Sequence, residues 1–273
     1  MTANSPVLNC AAAMELSLSV VSHCHGQMIG SLFSDLERLD NDVRFEVVLT
    51  VNSPEPTGYF EGRKFPLKVI TNDTPRGFGA NHNAAFRSSK GRYFAVVNPD
   101  IRLPPLQLQS LCALLRENHS IGAVGPAVKS SQGVVQDNAR RFPNVSALLH
   151  RAISRRRVPD YPVCAGPVLV DWLAGMFVIF RRDAFDQVGG FDDRYFMYFE
   201  DVDICSRLWN KGWSIVFQPD ASVIHDAQRA SHRQLRHLCW HLASAARYFI
   251  HHGLVRRRTR PVHAMSINEL SRK

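Results

Sequence analysis

The segment GANHNAAFRSSKGRYFAVVNPD, residues 79–100, contains one complete helix-to-strand unit. Its first half has helical spacing and ends at Gly91, and YFAVVN, residues 93–98, is an apolar run that Pro99 stops. A run this apolar is typical of a strand that is buried on both faces, as in parallel sheets covered by helices. The segment therefore predicts an α/β fold.

The same alternation continues in both directions from this segment. The pattern predicts strands at Leu16–Ser22, Phe45–Val51, Leu67–Thr71 and Ile121–Lys129, and helices at residues 27–39 and 106–118. We expect a mainly parallel sheet flanked by helices, in which ligands bind beyond the carboxyl ends of the strands. A small mixed sheet and a helix are predicted for the second half, with strands at residues 168–172, 175–182, 214–218 and 221–225 and the helix at 201–211.

Three parts are expected along the chain. Residues 1–15 read as an N-terminal extension, 16–230 as one α/β domain, and 231–273 as a basic amphipathic helix with a tail. Met14 stands directly before the first strand and is a candidate for the true start.

The charge of the chain is concentrated at its C-terminal end. The formal net charge is +9, and residues 226–273 contain ten Lys and Arg against two Asp and Glu, a balance of +8 that leaves +1 for residues 1–225. A neutral body argues against a nucleic-acid-binding protein, whereas the basic end favours a local contact with phosphates or an anionic membrane surface. Hydrophobic residues at 45% and charged residues at 21% exclude a disordered or fibrous chain.

The cysteines and the N-terminus favour a cytoplasmic location. The six cysteines are scattered and form no CxxC pair, so neither a zinc module nor a disulfide framework is indicated. The N-terminus lacks a basic region, and Glu15 interrupts its apolar stretch, which argues against a signal peptide. No run approaches the roughly 20 apolar residues that span a bilayer. We expect a cytoplasmic protein, with peripheral contact at the inner face of the plasma membrane as an alternative for the basic helix.

Two side chains that follow predicted strands are candidate metal ligands. Asp100 comes directly after the buried strand at 93–98, and His225 closes the strand ASVIH. Asn-Pro-Asp is also ordinary turn chemistry, and a single strand-end histidine is often structural, so both alternatives stay open. Together the two residues could supply the protein ligands of an octahedral site completed by phosphate oxygens and water. The pair His23 and His25 is a weaker candidate, because no further ligand lies near it in sequence.

The acidic segment at residues 199–203 predicts a helix start. Asp201 shares a helix face with Ile204 and Leu208, so we expect its carboxylate on the inward, apolar side. An ionised acid at a helix N-terminus is suited to accept a proton near neutral pH. The alternative is that Glu200, Asp201 and Asp203 only stabilise the helix N-terminus electrostatically.

Taken in order, five stretches of the chain resemble glycosyltransferase family 2 with the GT-A fold, and in particular its rhamnosyltransferase-like members. They are SVVS (19–22), RGFGANHNAAF (76–86), VVNPDI (96–101), VDWLAGMFVIFRRDAFDQVGGFDDRYFMYFEDVDICSRL (170–208) and the strand that ends at His225. The resemblance covers roughly residues 16–235, and the long central stretch is its most specific part.

The resemblance implies a role for each group of matching residues. It implies that Asp100 and His225 hold a divalent metal, Mg²⁺ or Mn²⁺, and that Asp201 is the general base. It places the nucleotide pocket at Ser22, Asn52, Asn72, Arg76, Gly77, Asn81, Asn83, Asn98 and Asp100. It places the donor sugar and the acceptor at Trp172, Ala174, Gly175 and Glu200.

The chain departs from the family pattern at two positions. Asn98 stands where many relatives have the first acid of the DxD motif, although NPD is common in this subgroup. The second strand ends in Val51-Asn52-Ser53 and lacks the acid that usually helps to hold the base. We therefore expect altered recognition of the nucleotide base.

The implied function is an inverting, metal-dependent transfer of a sugar from a nucleotide-diphosphate donor. Rhamnose is the best candidate for the sugar, and the acceptor would be a saccharide or a polyprenyl-diphosphate-linked saccharide in cell-surface polysaccharide synthesis. A non-catalytic nucleotide-sugar-binding relative and a basic nucleic-acid-binding protein are the alternatives. For the basic helix, either contact with an anionic membrane or packing on the domain is expected, and its apolar stripe is Leu235, Leu238, Leu242, Ala245/Ala246 and Phe249.

Overall fold

A computed structural model describes residues 14–39, 43–56, 58–105, 107–144, 159–161, 165–225 and 235–253. Its strands are β1 Leu16–Ser22, β2 Phe45–Val51, β3 Leu67–Thr71, β4 Tyr93–Val97, β5 Ile101–Arg102, β6 Ile121–Lys129, β7 Ala139–Arg140, β8 Val168–Leu169, β9 Trp172–Leu173, β10 Phe177–Arg181 and β11 Ser214–His225. Its helices are α1 Gly26–Leu36, α2 Phe78–Ser88, α3 Gln107–Glu117, α4 Arg182–Gln187, α5 Glu200–Asn210 and α6 Leu235–His252.

One large sheet organises the molecule, with the strand order β3, β2, β1, β4, β10, β6, β11, β5 and with β8 beside β11. The strands β1 to β4 run parallel to one another, and β11 runs parallel to β6. Strand β10 is inserted antiparallel between β4 and β6. The predicted α/β class with a mainly parallel sheet is confirmed.

The core consists of two apolar layers, one on each face of this sheet. In β4, Tyr93, Ala95 and Val97 face the layer that contains α1 and α3, whereas Phe94 and Val96 face the layer that contains α2, α4, α5 and α6. This alternation follows from the two-residue period of a strand. Strand β4 is buried along its whole length because helices cover both faces.

The second half differs in detail from the prediction. Residues 168–172 do not form one strand, because β8 pairs with β11 whereas β9 pairs with β7 in a separate two-stranded antiparallel sheet. Residues 214–218 and 221–225 are parts of one strand, β11, whose register shifts between Gln218 and Ser222. Pro219 lies within this irregularity and cannot donate a ladder hydrogen bond. The strands β10 and β11 belong to the main sheet rather than to the small one.

Helix α6 packs against the domain through a few specific contacts. The Ser244 hydroxyl donates to the carbonyl of Met197 (2.9 Å), and the Asp203 carboxylate lies 2.7 Å from His252 Nε2. Tyr248 is completely buried. No helix in the described ranges has the length and hydropathy needed to cross a membrane. The predicted extension up to residue 13 and the tail from residue 254 lie outside the described residues.

Candidate active site

Strand pairing brings Asp100 and His225 together. Strand β5 follows Asp100 directly and pairs antiparallel with the end of β11, so that Ile101 lies opposite His225. In this register His225 Nε2 is 3.2 Å from Asp100 Oδ2. Two residues that are 125 positions apart in sequence therefore form one polar pair at the carboxyl end of β4.

The side chain of Gln136, which no sequence motif indicated, orients the imidazole ring of His225. Gln136 donates through Nε2 to the carbonyl of His225 (2.6 Å), so its Oε1 faces His225 Nδ1 at 3.1 Å and accepts the Nδ1 proton. In a neutral imidazole the proton on Nδ1 leaves a lone pair on Nε2. That lone pair faces a carboxylate oxygen of Asp100, so the contact requires a proton or a cation between the two acceptors.

The donor set suits a divalent cation. Asp100 Oδ1 is buried and has no hydrogen-bond partner among the described residues. One carboxylate and one imidazole whose second nitrogen is hydrogen-bonded are a common partial ligand set for such ions. No cluster of three or more His, Cys, Asp or Glu side chains that could hold a metal occurs in the described ranges. The remaining ligands would therefore come from substrate oxygens and water.

The pairing of β4 with β10 connects Asp201 to the same edge of the sheet. The Asn98 amide donates to the carbonyl of Met176 (2.9 Å), which brings Gly175 and Met176 beside the Asn98-Pro99-Asp100 turn. The Gly175 amide donates to Asp201 Oδ2 (3.1 Å), and the Val202 amide donates to Oδ1 (2.8 Å). One extended segment thus links the Asp100 turn to the candidate base.

The surroundings of Asp201 change its acidity. Burial raises the pKa of Asp201 to about 6, and the hydrogen bonds from the Gly175 and Val202 amides partly offset this rise. Burial also raises the pKa of Glu200 well above its ordinary value, and the neighbouring charges of Asp201 and Asp203 add to that rise. Glu200 Oε2 is buried without a hydrogen-bond partner in the described part of the chain. A carboxylate with a pKa near 6 is suited to general-base chemistry at neutral pH.

The three acids at the start of α5 have different surroundings. Glu200 and Asp203 are buried, whereas Asp201 is half-buried. Asp203 forms an ion pair with Arg207 (2.7 Å) and contacts His252, so it has a structural role. Helix α5 is buried on most of its circumference because α6 covers one side and the sheet covers another, and Asp201 borders an apolar crevice with Ile204, on the face that the spacing predicts.

A strained turn positions the start of α5. Tyr198 and Phe199 both have left-handed backbone conformations, with φ of 71° and 65°. Each such non-glycine residue costs on the order of 1–3 kcal/mol and is typical of functional sites. The turn contacts the glycine loop, because the Phe78 amide donates to the carbonyl of Phe196 (2.9 Å). A Cβ on Gly77 would lie 2.7 Å from that carbonyl oxygen, which explains the glycine.

Three buried asparagines hold the Arg76 loop beside the ends of β2 and β3. Asn52 accepts from the Arg76 amide (2.8 Å) and donates to its carbonyl (3.0 Å), while Asn81 donates to the same carbonyl (3.1 Å). Asn72 bridges the oxygens of Asn52 and Asn81. The three asparagine side chains therefore hold the backbone of the loop in place. All of these hydrogen bonds are to the backbone of Arg76, and its side chain is exposed. Ser22 accepts from the His25 amide (3.2 Å) in the adjacent turn.

Two other predicted site residues have polar groups that are engaged inside the protein. Asn83 donates to the carbonyl of Phe191 (2.8 Å) and to Asp193 (2.7 Å), and accepts from the Phe191 amide. The Trp172 indole donates to the carbonyl of Arg141 (2.8 Å), and the Ala174 amide donates to the carbonyl of Asn138. These contacts fix the orientation of the Asn83 and Trp172 side chains.

Comparison with known proteins is consistent with this geometry. A curated "N-acetylglucosaminyl-diphospho-decaprenol L-rhamnosyltransferase" of Mycobacterium tuberculosis (strain CDC 1551 / Oshkosh) is 35% identical over 156 residues, which cover 54% of this chain and 51% of the relative. The chain thus spans about half the length of that relative. "Rhamnosyltransferase WbbL" of Escherichia coli (strain K12) is 27% identical over 246 residues, 84% of this chain and 90% of the relative.

A solved structure shares the fold. The structure of GalNAc-T7 with UDP, GalNAc and Mn²⁺ superposes with a TM-score of 0.61 at 16% identity, covering 78% of this chain and 43% of that one. The sequence profile described as "Glycosyltransferase like family 2" matches residues 39–264. The resemblance seen in the sequence is thereby confirmed, and the chain belongs to glycosyltransferase-like family 2.

Proposed function

We propose that this protein is an inverting glycosyltransferase that transfers a sugar from a nucleotide-diphosphate donor to a hydroxyl group of a saccharide acceptor. The observation that supports this most directly is the connected geometry of the site. Asp100 and His225 form a polar pair that could hold a cation, and Asp201 is joined to the same strand edge through Gly175 and Met176. In this proposal the metal-binding pair and the base act on the same donor and acceptor.

Asp201 acts as the general base in this proposal. The two backbone amides that donate to Asp201 hold its carboxylate in one orientation and leave further lone pairs for the acceptor hydroxyl. As that hydroxyl loses its proton to Asp201, its oxygen forms the new bond to the anomeric carbon. The bond from that carbon to the diphosphate oxygen breaks on the opposite face, and the electron pair leaves with the diphosphate. One displacement of this kind inverts the configuration.

A divalent cation would be held by Asp100 and His225. When bound, it neutralises negative charge on the diphosphate leaving group. Gln136 keeps the Nε2 lone pair of His225 directed toward Asp100. The Asn52, Asn72 and Asn81 cluster fixes the Arg76 loop, so the Arg76 guanidinium and the N-terminus of α2 are suited to contact the donor phosphates.

The relatives favour a particular donor and acceptor. Both curated relatives are named as rhamnosyltransferases, and the name of the mycobacterial one includes a diphospho-decaprenol acceptor. We therefore propose rhamnose as the sugar and a polyprenyl-diphosphate-linked saccharide as the acceptor, in cell-surface polysaccharide synthesis at the inner face of the plasma membrane. Because the acid that usually helps to hold the nucleotide base is missing beside Asn52, the nucleotide of the donor is to be identified by testing nucleotide sugars, beginning with deoxythymidine-diphosphate rhamnose.

A pair of variants tests the proposal after a thermal-shift screen of nucleotide sugars with and without Mn²⁺. Asp201→Asn should lower transfer by about 10²–10⁴-fold and leave donor affinity nearly unchanged, because only the base is lost. Asp100→Ala should instead weaken Mn²⁺-dependent donor binding in calorimetry. Turnover in Asp201→Asn comparable to the wild type would remove Asp201 from its role, and unchanged metal-dependent binding in Asp100→Ala would contradict the metal site.

A further inference from the structure

Helix α6 presents an apolar stripe to solvent on the side that faces away from the domain. Leu235, Leu238, Leu242 and Ile250 have exposed fractions of 80%, 55%, 60% and 81%. At about 100° per residue these four side chains lie on one face of the helix. Ser244, on the opposite face, is buried. An amphipathic helix that packs on a domain normally has the reverse arrangement, with the apolar face inward.

The inward face of α6 is held by directional contacts, so the outward orientation of the stripe is fixed. Ser244 donates to the Met197 carbonyl, Tyr198 Oη lies 3.0 Å from His237 Nδ1, and His252 contacts Asp203. The two alternatives expected from the sequence are therefore not exclusive. The helix packs on the domain through its polar and aromatic side and still exposes most of its leucines. A contiguous exposed apolar surface of this kind marks an interaction site.

The charge around the stripe identifies the occupant. Between Asp226 and Glu269 the sequence contains eight arginines and no acidic residue. Within the helix, Arg236 is exposed and Arg247 is half-buried, on the flank of the stripe. A second copy of the chain would bring two such cationic segments together, which like-charge repulsion disfavours. An anionic lipid surface satisfies both features, because leucines enter its acyl boundary while arginines contact its headgroups.

We propose that α6 binds an anionic membrane surface through Leu235, Leu238, Leu242 and Ile250. This role goes beyond sugar transfer and does not depend on its chemistry. It has a geometric consequence for the site, since α6 contacts the segment from Met197 to Phe199 that leads directly into Asp201. The residues from Met197 to Phe199 thus connect the membrane-facing helix to the start of α5, which carries the candidate base.

Flotation of the full-length protein with vesicles tests this assignment. The wild type should bind vesicles of phosphatidylcholine mixed with phosphatidylglycerol more strongly than vesicles of phosphatidylcholine alone, and high salt should weaken this binding. The double variant Leu238→Gln and Leu242→Gln should lower the partition coefficient by about tenfold for each leucine. The matched control is the double variant Val69→Gln and Val134→Gln, which changes two exposed apolar side chains elsewhere, 44% and 62% exposed, and should bind like the wild type.

Further variants test membrane binding even if the double leucine variant does not fold. Ile250→Gln changes one highly exposed side chain and should weaken binding about tenfold if the leucine variant is unstable. Neutralising Arg256, Arg257 and Arg258 with Gln should lower binding to anionic vesicles about fivefold per arginine and reduce its salt dependence. Equal binding by the Leu238 and Leu242 variant and the control, or no vesicle binding by the wild type, overturns the proposal. A wild-type dimer that the leucine substitutions convert to a monomer, without vesicle binding, would assign the stripe to self-association instead.

Discussion

Lowering the pH from about 8 to about 5 should reduce sugar transfer about tenfold by protonating Asp201. Asp201 borders an apolar crevice with Leu173, Val178, Phe180 and Ile204, and its burial raises the pKa to about 6. At about pH 5 roughly one tenth of such a group is ionised, whereas an aspartate with the ordinary pKa of 3.8 would remain more than about nine-tenths ionised. The structure therefore predicts a drop that an unperturbed aspartate would not produce.

The same pKa can be measured through stability. The rise from 3.8 to about 6 means that the folded protein binds this proton more tightly than the unfolded chain. The free energy of unfolding should therefore decrease as the pH rises from about 4 to about 6, by about 2 kcal/mol, since the slope reaches at most about 1.4 kcal/mol per pH unit. In Asp201→Asn this part of the pH dependence should disappear, although the amide, which has only one acceptor oxygen, loses one of the two backbone hydrogen bonds.

The assay is kcat/KM for the acceptor at saturating donor, followed from about pH 5 to about pH 8 together with donor affinity and urea unfolding. Donor affinity separates the titration of Asp201 from effects at the metal site. The residual activity of Asp201→Asn is the control and should lack the acidic limb. A wild-type profile that stays flat down to about pH 5 while donor binding is intact would refute the assignment of the base.

Two further predictions concern the residues beside the candidate base and the candidate metal site. The free energy of unfolding of the wild type should decrease between about pH 5 and about pH 8, because burial raises the pKa of Glu200 and its ionisation destabilises the fold. In Glu200→Gln this decrease should be smaller. Urea unfolding at both pH values measures it, and a decrease equal to that of the wild type would contradict the prediction. Gln136→Ala should weaken Mn²⁺-dependent donor binding by about 10–100-fold, because His225 loses the contact that orients its ring. Calorimetry with Mn²⁺ measures this affinity, and an unchanged value would argue against the metal site.

Much of the first half could be predicted from the sequence because its elements are local. The bounds of β1, β2, β3 and β6 agree with the apolar runs, and α2 and α3 agree within a few residues at their ends. Strands β1, β2 and β6 are buried along most of their length, so the apolar pattern and the structure report the same burial there, whereas β3 has no buried residue. The glycosyltransferase family could also be predicted from the sequence, because residues 170–208 form a long stretch that resembles the family pattern, and the family profile matches residues 39–264.

The contacts that define the site could not be predicted, because they depend on pairing between distant segments. Strand β5 has only two residues, and no pattern marks it, yet its register with β11 brings Asp100 to His225. Gln136 lies in a stretch without periodicity, and only the fold shows that it contacts His225. Asn83 matched the family's nucleotide pocket in sequence, but its amide is fully used by Phe191 and Asp193, 108 and 110 residues away.

The antiparallel insertion of β10 explains how the Asp100 turn and the segment that contacts Asp201 reach the same edge of the sheet. A fully parallel sheet would bring the amino end of the inserted strand to the opposite edge, whereas the reversed direction places Gly175 and Met176 beside Asn98 at the carboxyl end of β4. A shift of one residue in this register would turn Phe177 and Val178 to opposite faces, exchanging the layers in which they are buried, so packing of the core fixes the register strongly. Burial in the core therefore fixes the pairing that joins the Asp100 turn to Gly175 and Met176, and Gly175 in turn contacts Asp201.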